Sequence, residues 1–201
     1  MFQALCLNTE SLWKDANFSN HPMDLRETKK CVKYLNSRTK YLTLEGYLKT
    51  KGQYVNISEA LLSDIFKGCE NLITVKLKNH FFHGEKITFK LFPKQLRNLS
   101  LAGSEVVNLP GNDQNYFKNI HLCLPKLEIL DLSGCGWVSN HSLMSICKLE
   151  HLKELNLRGC FKIGECFAYT ALATRFGFDS IEKFDLIDTD ISITELASFG
   201  R

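Results

Sequence analysis

Residues 125–135 read PKLEILDLSGC and residues 150–160 read EHLKELNLRGC, one phrase written twice. In the first copy Leu127, Leu130 and Leu132 precede Cys135; in the second Leu152, Leu155 and Leu157 precede Cys160. The L-x-L centre of each copy has the period of two that sends alternate side chains to opposite faces of a strand. The leucines therefore point one way and the residues between them the other. A unit this short cannot bury its own apolar face. It has to stack on further copies of itself, which leaves the opposite strand face exposed.

Weaker copies flank the central pair. Leu72, Val75 and Leu77 lead to His80; Leu96, Leu99 and Leu101 lead to Ser104; Ile181, Phe184 and Leu186 lead to Thr189. A degenerate first copy runs through Thr39, Leu42 and Leu44 to Tyr47. The shared template, L-x-x-L-x-L-x-x-(N/C), is that of a leucine-rich repeat, and about six strands spaced roughly 24 to 33 residues apart fit its period. The expected fold class is α/β: a leucine-rich-repeat solenoid with a curved parallel sheet on the concave side and helices and irregular segments on the convex side. The small residue that ends each unit, such as Cys135 or Cys160, is expected inside the turn, satisfying backbone groups as an asparagine does.

The segments between strands read mostly as helices. Residues 56–72 offer Ser58 as an N-cap, an apolar face through Ala60, Leu61, Leu62, Ile65 and Phe66, and Gly68 as a stop. Residues 138–152 repeat the arrangement with Leu143, Met144, Ile146 and Cys147, and residues 164–178 predict a third helix ended by Gly177. No helical period runs from Lys78 to Pro93, so an extended or irregular stretch carrying Phe81, Phe82, Phe89 and Phe92 is expected there.

Composition bounds the function. The chain of 201 residues is 44% hydrophobic with 4 prolines, enough for one continuous core without a linker. Its 25 basic and 22 acidic residues are interspersed, so no basic stripe points to nucleic acid as a partner. No apolar run approaches the roughly 18 to 20 residues of a membrane span, and no signal segment opens the chain, so no membrane partner and a cytoplasmic and/or nuclear location are expected. The 8 cysteines form no paired terminal clusters. Cys135 and Cys160 sit in the repeat's small-residue slot, Cys69 and Cys147 near helix ends, and Cys6, Cys31, Cys123 and Cys166 alone, which reads as reduced thiols.

The search for chemistry returns no cofactor, metal or catalytic set. His80 and His83 have no further ligand nearby and read as loop histidines. Cys147 and His151 lack an orienting third group, and the pair Asp188 and Asp190 is explained by turn capping. Trp137 and Phe161, each following a repeat-closing cysteine, are expected to pack against the core. Function is therefore sought on the exposed strand face. Its candidate partner-binding residues are Thr74, Lys76, Lys78, Asn98, Ser100, Asp131, Ser133, Glu154, Asn156, Arg158, Lys183 and Asp185, and Ile129 is expected on the same strand face.

The cysteine-closed phrases LDLSGC and LNLRGC, with convex segments such as LLSDIFKGCENL, resemble the repeats of F-box/leucine-rich-repeat proteins. Residues 33–48, 69–80 and 92–106 are similar, in order and spacing, to the opening repeats of such a protein. Residues Asn8 to Ser19, NTESLWKDANFS, are similar to the end of an F-box, with Leu12 and Trp13 in its Leu-Trp positions. The resemblance implies an F-box tail and N-terminal helical cap over residues 1–36 and a repeat domain over 37–201. It also implies a non-enzymatic substrate-recognition module of an SCF-type ubiquitin ligase that holds a protein substrate on its concave face. The F-box opening phrase L-P-x-E-x-L-x-x-I-F has no counterpart here, so a Skp-type adaptor and cullin ligase are implied only if the rest of the F-box is supplied. The alternative is a ligase-independent scaffold built on the same arc.

Overall fold

Each L-x-L centre forms a short strand in the computed structural model, which describes residues 13–47, 57–109, 115–164, 172, 173, 175 and 177–192. The strands are β1 (Asp15–Asn17), β2 (Tyr41–Glu45), β3 (Thr74–Lys78), β4 (Phe81–His83), β5 (Asn98–Ser100), β6 (Glu105–Val107), β7 (Ile129–Asp131), β8 (Glu154–Asn156) and β9 (Lys183–Asp185). Seven of them make one sheet in the order β1-β2-β3-β5-β7-β8-β9, every neighbouring pair parallel. Strands β4 and β6 pair in parallel as a second, two-stranded sheet. The fold is α/β, with the longer connections between parallel strands carrying helices or irregular turns.

Register aligns the apolar positions into columns. Ala16 pairs with Leu42, and the column continues through Val75, Leu99, Leu130, Leu155 and Phe184. All but Phe184 are buried, as are Leu44, Leu77, Leu101, Leu132 and Leu157 two residues on and Leu72, Leu96, Leu127 and Leu152 three residues before. Burying a leucine stabilises by about 1.5–3 kcal/mol, so these columns form the main apolar store of the core. In β9 the equivalent Ile181, Phe184 and Leu186 are half-buried, because no described strand lies beyond it.

The chain leaves each strand by the same turn. Asn79, Gly103, Gly134, Gly159 and Asp188 all have φ between 55° and 71°, and each lies four residues after its column residue. The turns bond from one coil to the next: Gly103 N–H donates to the Ser133 carbonyl at 2.7 Å and Gly134 N–H to the Arg158 carbonyl at 2.7 Å. Glycine suits the left-handed conformation, and asparagine or aspartate tolerates it. One residue further, Ser104 Oγ donates to the Leu77 carbonyl, Cys135 Sγ to Leu101 and Cys160 Sγ to Leu132, at 3.0, 3.1 and 3.1 Å. The asparagine-like role expected of the small closing residue is met at these three rungs. Tyr47, in the same slot of the first copy, is instead 46% exposed, too large to turn inward.

The connections follow their caps. Helix α1 (Leu25–Cys31) opens on a reciprocal box in which Glu27 N–H donates to Asp24 Oδ1 at 2.7 Å and Asp24 N–H to Glu27 Oε2 at 2.9 Å. Helix α2 (Glu59–Gly68) has Ser58 as its N-cap and buries Leu61, Leu62 and Ile65. Helices α3 (Ile120–Cys123) and α4 (Asn140–Ile146) precede β7 and β8. From Phe81 to Phe92 the backbone is β4 and a 3-10 turn (Phe89–Leu91), as the missing helical period predicts. Phe89, Phe92, Tyr116, Phe117 and Trp137 pack as one aromatic cluster, with Phe117 and Trp137 stacked at 5.5 Å and 8°.

Two features depart from the sequence expectations. Strand β1 lies within residues 1–36, which were read as an F-box tail and helical cap; its single apolar residue, Ala16, carries no periodicity, and pairing with β2 makes it a strand. The sheet of β4 and β6 was not anticipated. The third expected helix, residues 164–178, lies mostly outside the described residues, as do Leu12, Cys6 and Cys166.

Candidate functional site

Opposite the leucine columns, register lays the outward side chains in rows. One row is Tyr41, Thr74, Asn98, Ile129, Glu154 and Lys183; the next is Thr43, Lys76, Ser100, Asp131, Asn156 and Asp185. Lys78, Ser133 and Arg158 follow at the strand exits. A depression of about 320 Å³ gathers Lys76, Asn98, Ser100, Asp131, Glu154, Asn156, Lys183 and Asp185, with Ile129, Leu130 and Leu155 in its lining. Thr74, Lys78, Ser133 and Arg158 stand outside that lining.

The second row has a structural duty that single-strand periodicity does not reveal. Ser100 Oγ accepts from Ala102 N–H at 3.3 Å, Asp131 Oδ1 from Ser133 N–H at 3.1 Å, Asn156 Oδ1 from Arg158 N–H at 3.0 Å and Asp185 Oδ1 from Ile187 N–H at 3.1 Å. Each side chain holds the start of the turn that follows its strand. Ser100 lines the depression but is only 1% exposed, and its hydroxyl donates to Asp131 Oδ2 at 2.8 Å. The signal was present as S-L-A-G, D-L-S-G, N-L-R-G and D-L-I-D, an acceptor placed just ahead of each left-handed turn. In β3 that position is Lys76, which has no acceptor to offer.

Charges on the face pair across strands. Lys183 Nζ lies 3.5 Å from Glu154 Oε2, and Arg158 Nε 3.4 Å from Asp185 Oδ2. At the strand entrances Glu128 meets Arg97 at 2.6 Å and Lys153 at 3.9 Å. Exposed pairs of this kind contribute about 0.2–1 kcal/mol each, so they set local charge more than stability. The Arg97, Glu128 and Lys153 cluster was not readable from the sequence, since only the register brings together residues 25 and 31 positions apart.

The candidate chemistry residues disperse. His80 lies in the loop between β3 and β4, as expected, but it is buried, hydrogen-bonded to the Leu44 backbone, and burial lowers its pKa to about 4. It fills the closing slot of its coil, where neighbouring coils have Ser104 and Cys135. His83 lies in β4 with Nδ1 3.2 Å from the Asn108 amide nitrogen. Burial raises the Cys147 pKa and the thiol donates to the Met144 carbonyl at 3.6 Å, while His151 is exposed. Among the described residues no group of three or more His, Cys, Asp or Glu is placed to hold a metal ion. Among the described residues Cys31, Cys69, Cys123, Cys135, Cys147 and Cys160 are free thiols.

The two aromatics expected to pack divide. Trp137 does so, its Nε1 donating to the Ser104 carbonyl at 2.8 Å. Phe161 does not: it is 54% exposed and lies across Gly136, where a Cβ would come within 2.8 Å of its ring.

No helix of the described residues is long and apolar enough to cross a membrane. No protein-family model matches this chain, and no curated protein matches its sequence.

Proposed function

We propose that this chain is a leucine-rich-repeat solenoid acting as a non-enzymatic protein-recognition module. On its resemblance to F-box/leucine-rich-repeat proteins, it serves as a substrate receptor of an SCF-type ubiquitin ligase. The observation that carries the reading is the division of labour in one continuous register. Residues of the Leu42 to Phe184 column form the spine, and the alternate residues line an open depression of about 320 Å³. An open, mixed polar and apolar groove along a rigid sheet suits an extended protein partner, with specificity set by complementary charge. A Skp-type adaptor and cullin join only where the rest of an F-box is supplied.

The ligase-independent scaffold has its own support. Asp15–Asn17, within the phrase that resembles the end of an F-box, extends the sheet, and Trp13 beside it stacks on Tyr34 at 5.6 Å. A segment used in this way is committed to the arc.

Affinity purification with mass spectrometry on the tagged full chain and on Ile129→Arg tests the proposal. The expected result is a protein client held by the wild type, lost with the variant, and ubiquitinated in cells in a manner that depends on this chain. A client retained equally by Ile129→Arg counts against the face. A client lost with the variant but never ubiquitinated, with no adaptor recovered, selects the scaffold.

A further inference from the structure

Charge on the exposed strand face is matched unequally from end to end. At β8 and β9, Glu154 and Lys183 neutralise each other at 3.5 Å, as do Arg158 and Asp185 at 3.4 Å. In the middle, Asp131 accepts from the hydroxyls of Ser100 and Ser133, both at 2.8 Å, and from Ser133 N–H. At β3, by contrast, Lys76 and Lys78 have no carboxylate within 4.0 Å among the described residues. Glu45, the register neighbour of Lys78, accepts from Asn79 Nδ2 at 3.1 Å.

Lys76 is also the exception in its row. Ser100, Asp131, Asn156 and Asp185 each accept a turn N–H, and a lysine cannot. The turn chemistry therefore gives no reason for a cation at this point. Two strands away, Ile129 is the apolar exception in a polar stretch of the neighbouring row and lines the depression that Lys76 also lines.

We infer that this face binds an extended protein segment whose Asp or Glu carboxylate sits between Lys76 and Lys78 and whose apolar side chain, about three residues away, sits on Ile129. The inference rests on the recognition reading above and gives its partner a chemistry. Strands about 4.8 Å apart place β3 and β7 about 10 Å from each other. An extended chain covers that span in about three residues at 3.3 Å each. A continuous polyanion does not fit, since beyond Lys76 the groove carries Asp131, which is held by hydroxyl and amide donors with its charge intact, and a like charge placed there is rejected. A single carboxylate followed by neutral and apolar residues meets no such repulsion.

Panning a random twelve-residue peptide library on the intact chain tests the inference, with titrations of the selected peptides on Lys76→Glu, Lys78→Glu and Ile129→Arg. Selected peptides are expected to carry Asp or Glu about three residues from an apolar side chain. Lys76→Glu then weakens them about tenfold, and changing the peptide's acidic residue to lysine restores binding to that variant. Peptides lost with Ile129→Arg but unaffected by either lysine reversal overturn the acidic assignment and leave the recognition face standing. Selection of phosphorylated peptides whose Asp or Glu versions do not bind overturns it as well. Peptides that bind Ile129→Arg unchanged, or a library that yields no binder, overturn both readings.

Discussion

The Cys160 thiol donates to the Leu132 carbonyl at 3.1 Å, tying the end of one coil to the coil before it. Burial pushes this thiol up to about 11, so it stays protonated and keeps its proton for the bond. Cys160→Val removes the thiol donor while the Leu132 carbonyl keeps the Cys135 N–H at 3.1 Å, so the loss is that of one net hydrogen bond, about 0.5–1.5 kcal/mol. Cys160→Ser keeps a donor, as Ser104 does in the equivalent slot, and is expected to lose less. Urea midpoints of the two variants check the order; a valine variant as stable as wild type would show the bond to be immaterial.

His80 makes stability pH-dependent. Its folded pKa, about 4, lies below the ordinary 6.5, so the unfolded chain binds the proton more readily. The stabilisation from keeping His80 neutral is fully present above pH 6.5 and is lost as pH falls towards 4, a total of about 3 kcal/mol. His80→Asn fits the slot without a titrating group. The difference in unfolding free energy between wild type and this variant should shrink from pH 7.5 to pH 4, and a constant difference would refute the assignment.

Gly134 tests the repeated left-handed turn. Its φ is 71° and a Cβ would lie an ordinary 3.6 Å from Gly103, so the conformation alone resists a side chain. Gly134→Ala is expected to cost about 1–2 kcal/mol. Gly134→Asn should cost less, because Asn79 holds the same position with φ of 55°. Thermal unfolding of both variants provides the comparison.

Asp131 separates turn capping from charge. Asp131→Asn retains the acceptor that Asn156 supplies one strand later, and its stability should match wild type within about 0.5 kcal/mol. Asp131→Ala leaves the Ser133 N–H and the Ser100 hydroxyl without their partner and should cost about 1–2 kcal/mol. Equal losses in the two variants would mean that the carboxylate acts by charge instead.

Much of the sheet was readable because its information is local. The L-x-L period announced β2, β3, β5, β7, β8 and β9, while the cap Ser58 announced α2 and the apolar spacing of Leu143, Met144 and Ile146 announced α4. Strand β1 was not readable, since Asp-Ala-Asn has no period and becomes a strand only beside Leu42. The outward face was legible as a set of positions. Its functions were not, because the bond from Ser100 to Asp131 joins residues 31 apart and the pair Arg158 and Asp185 joins residues 27 apart.

The amino-acid sequence alone determined that the repeated leucines go inward, because periodicity and turn chemistry act within a dozen residues. The tertiary structure decided what the outward residues do. Stacking the coils in one register made Ser100, Asp131, Asn156 and Asp185 into turn supports, paired Glu154 with Lys183, and left Lys76 and Lys78 without a carboxylate partner among the described residues. Those outcomes depend on distances between separate coils, and such distances exist only once the leucine columns have closed.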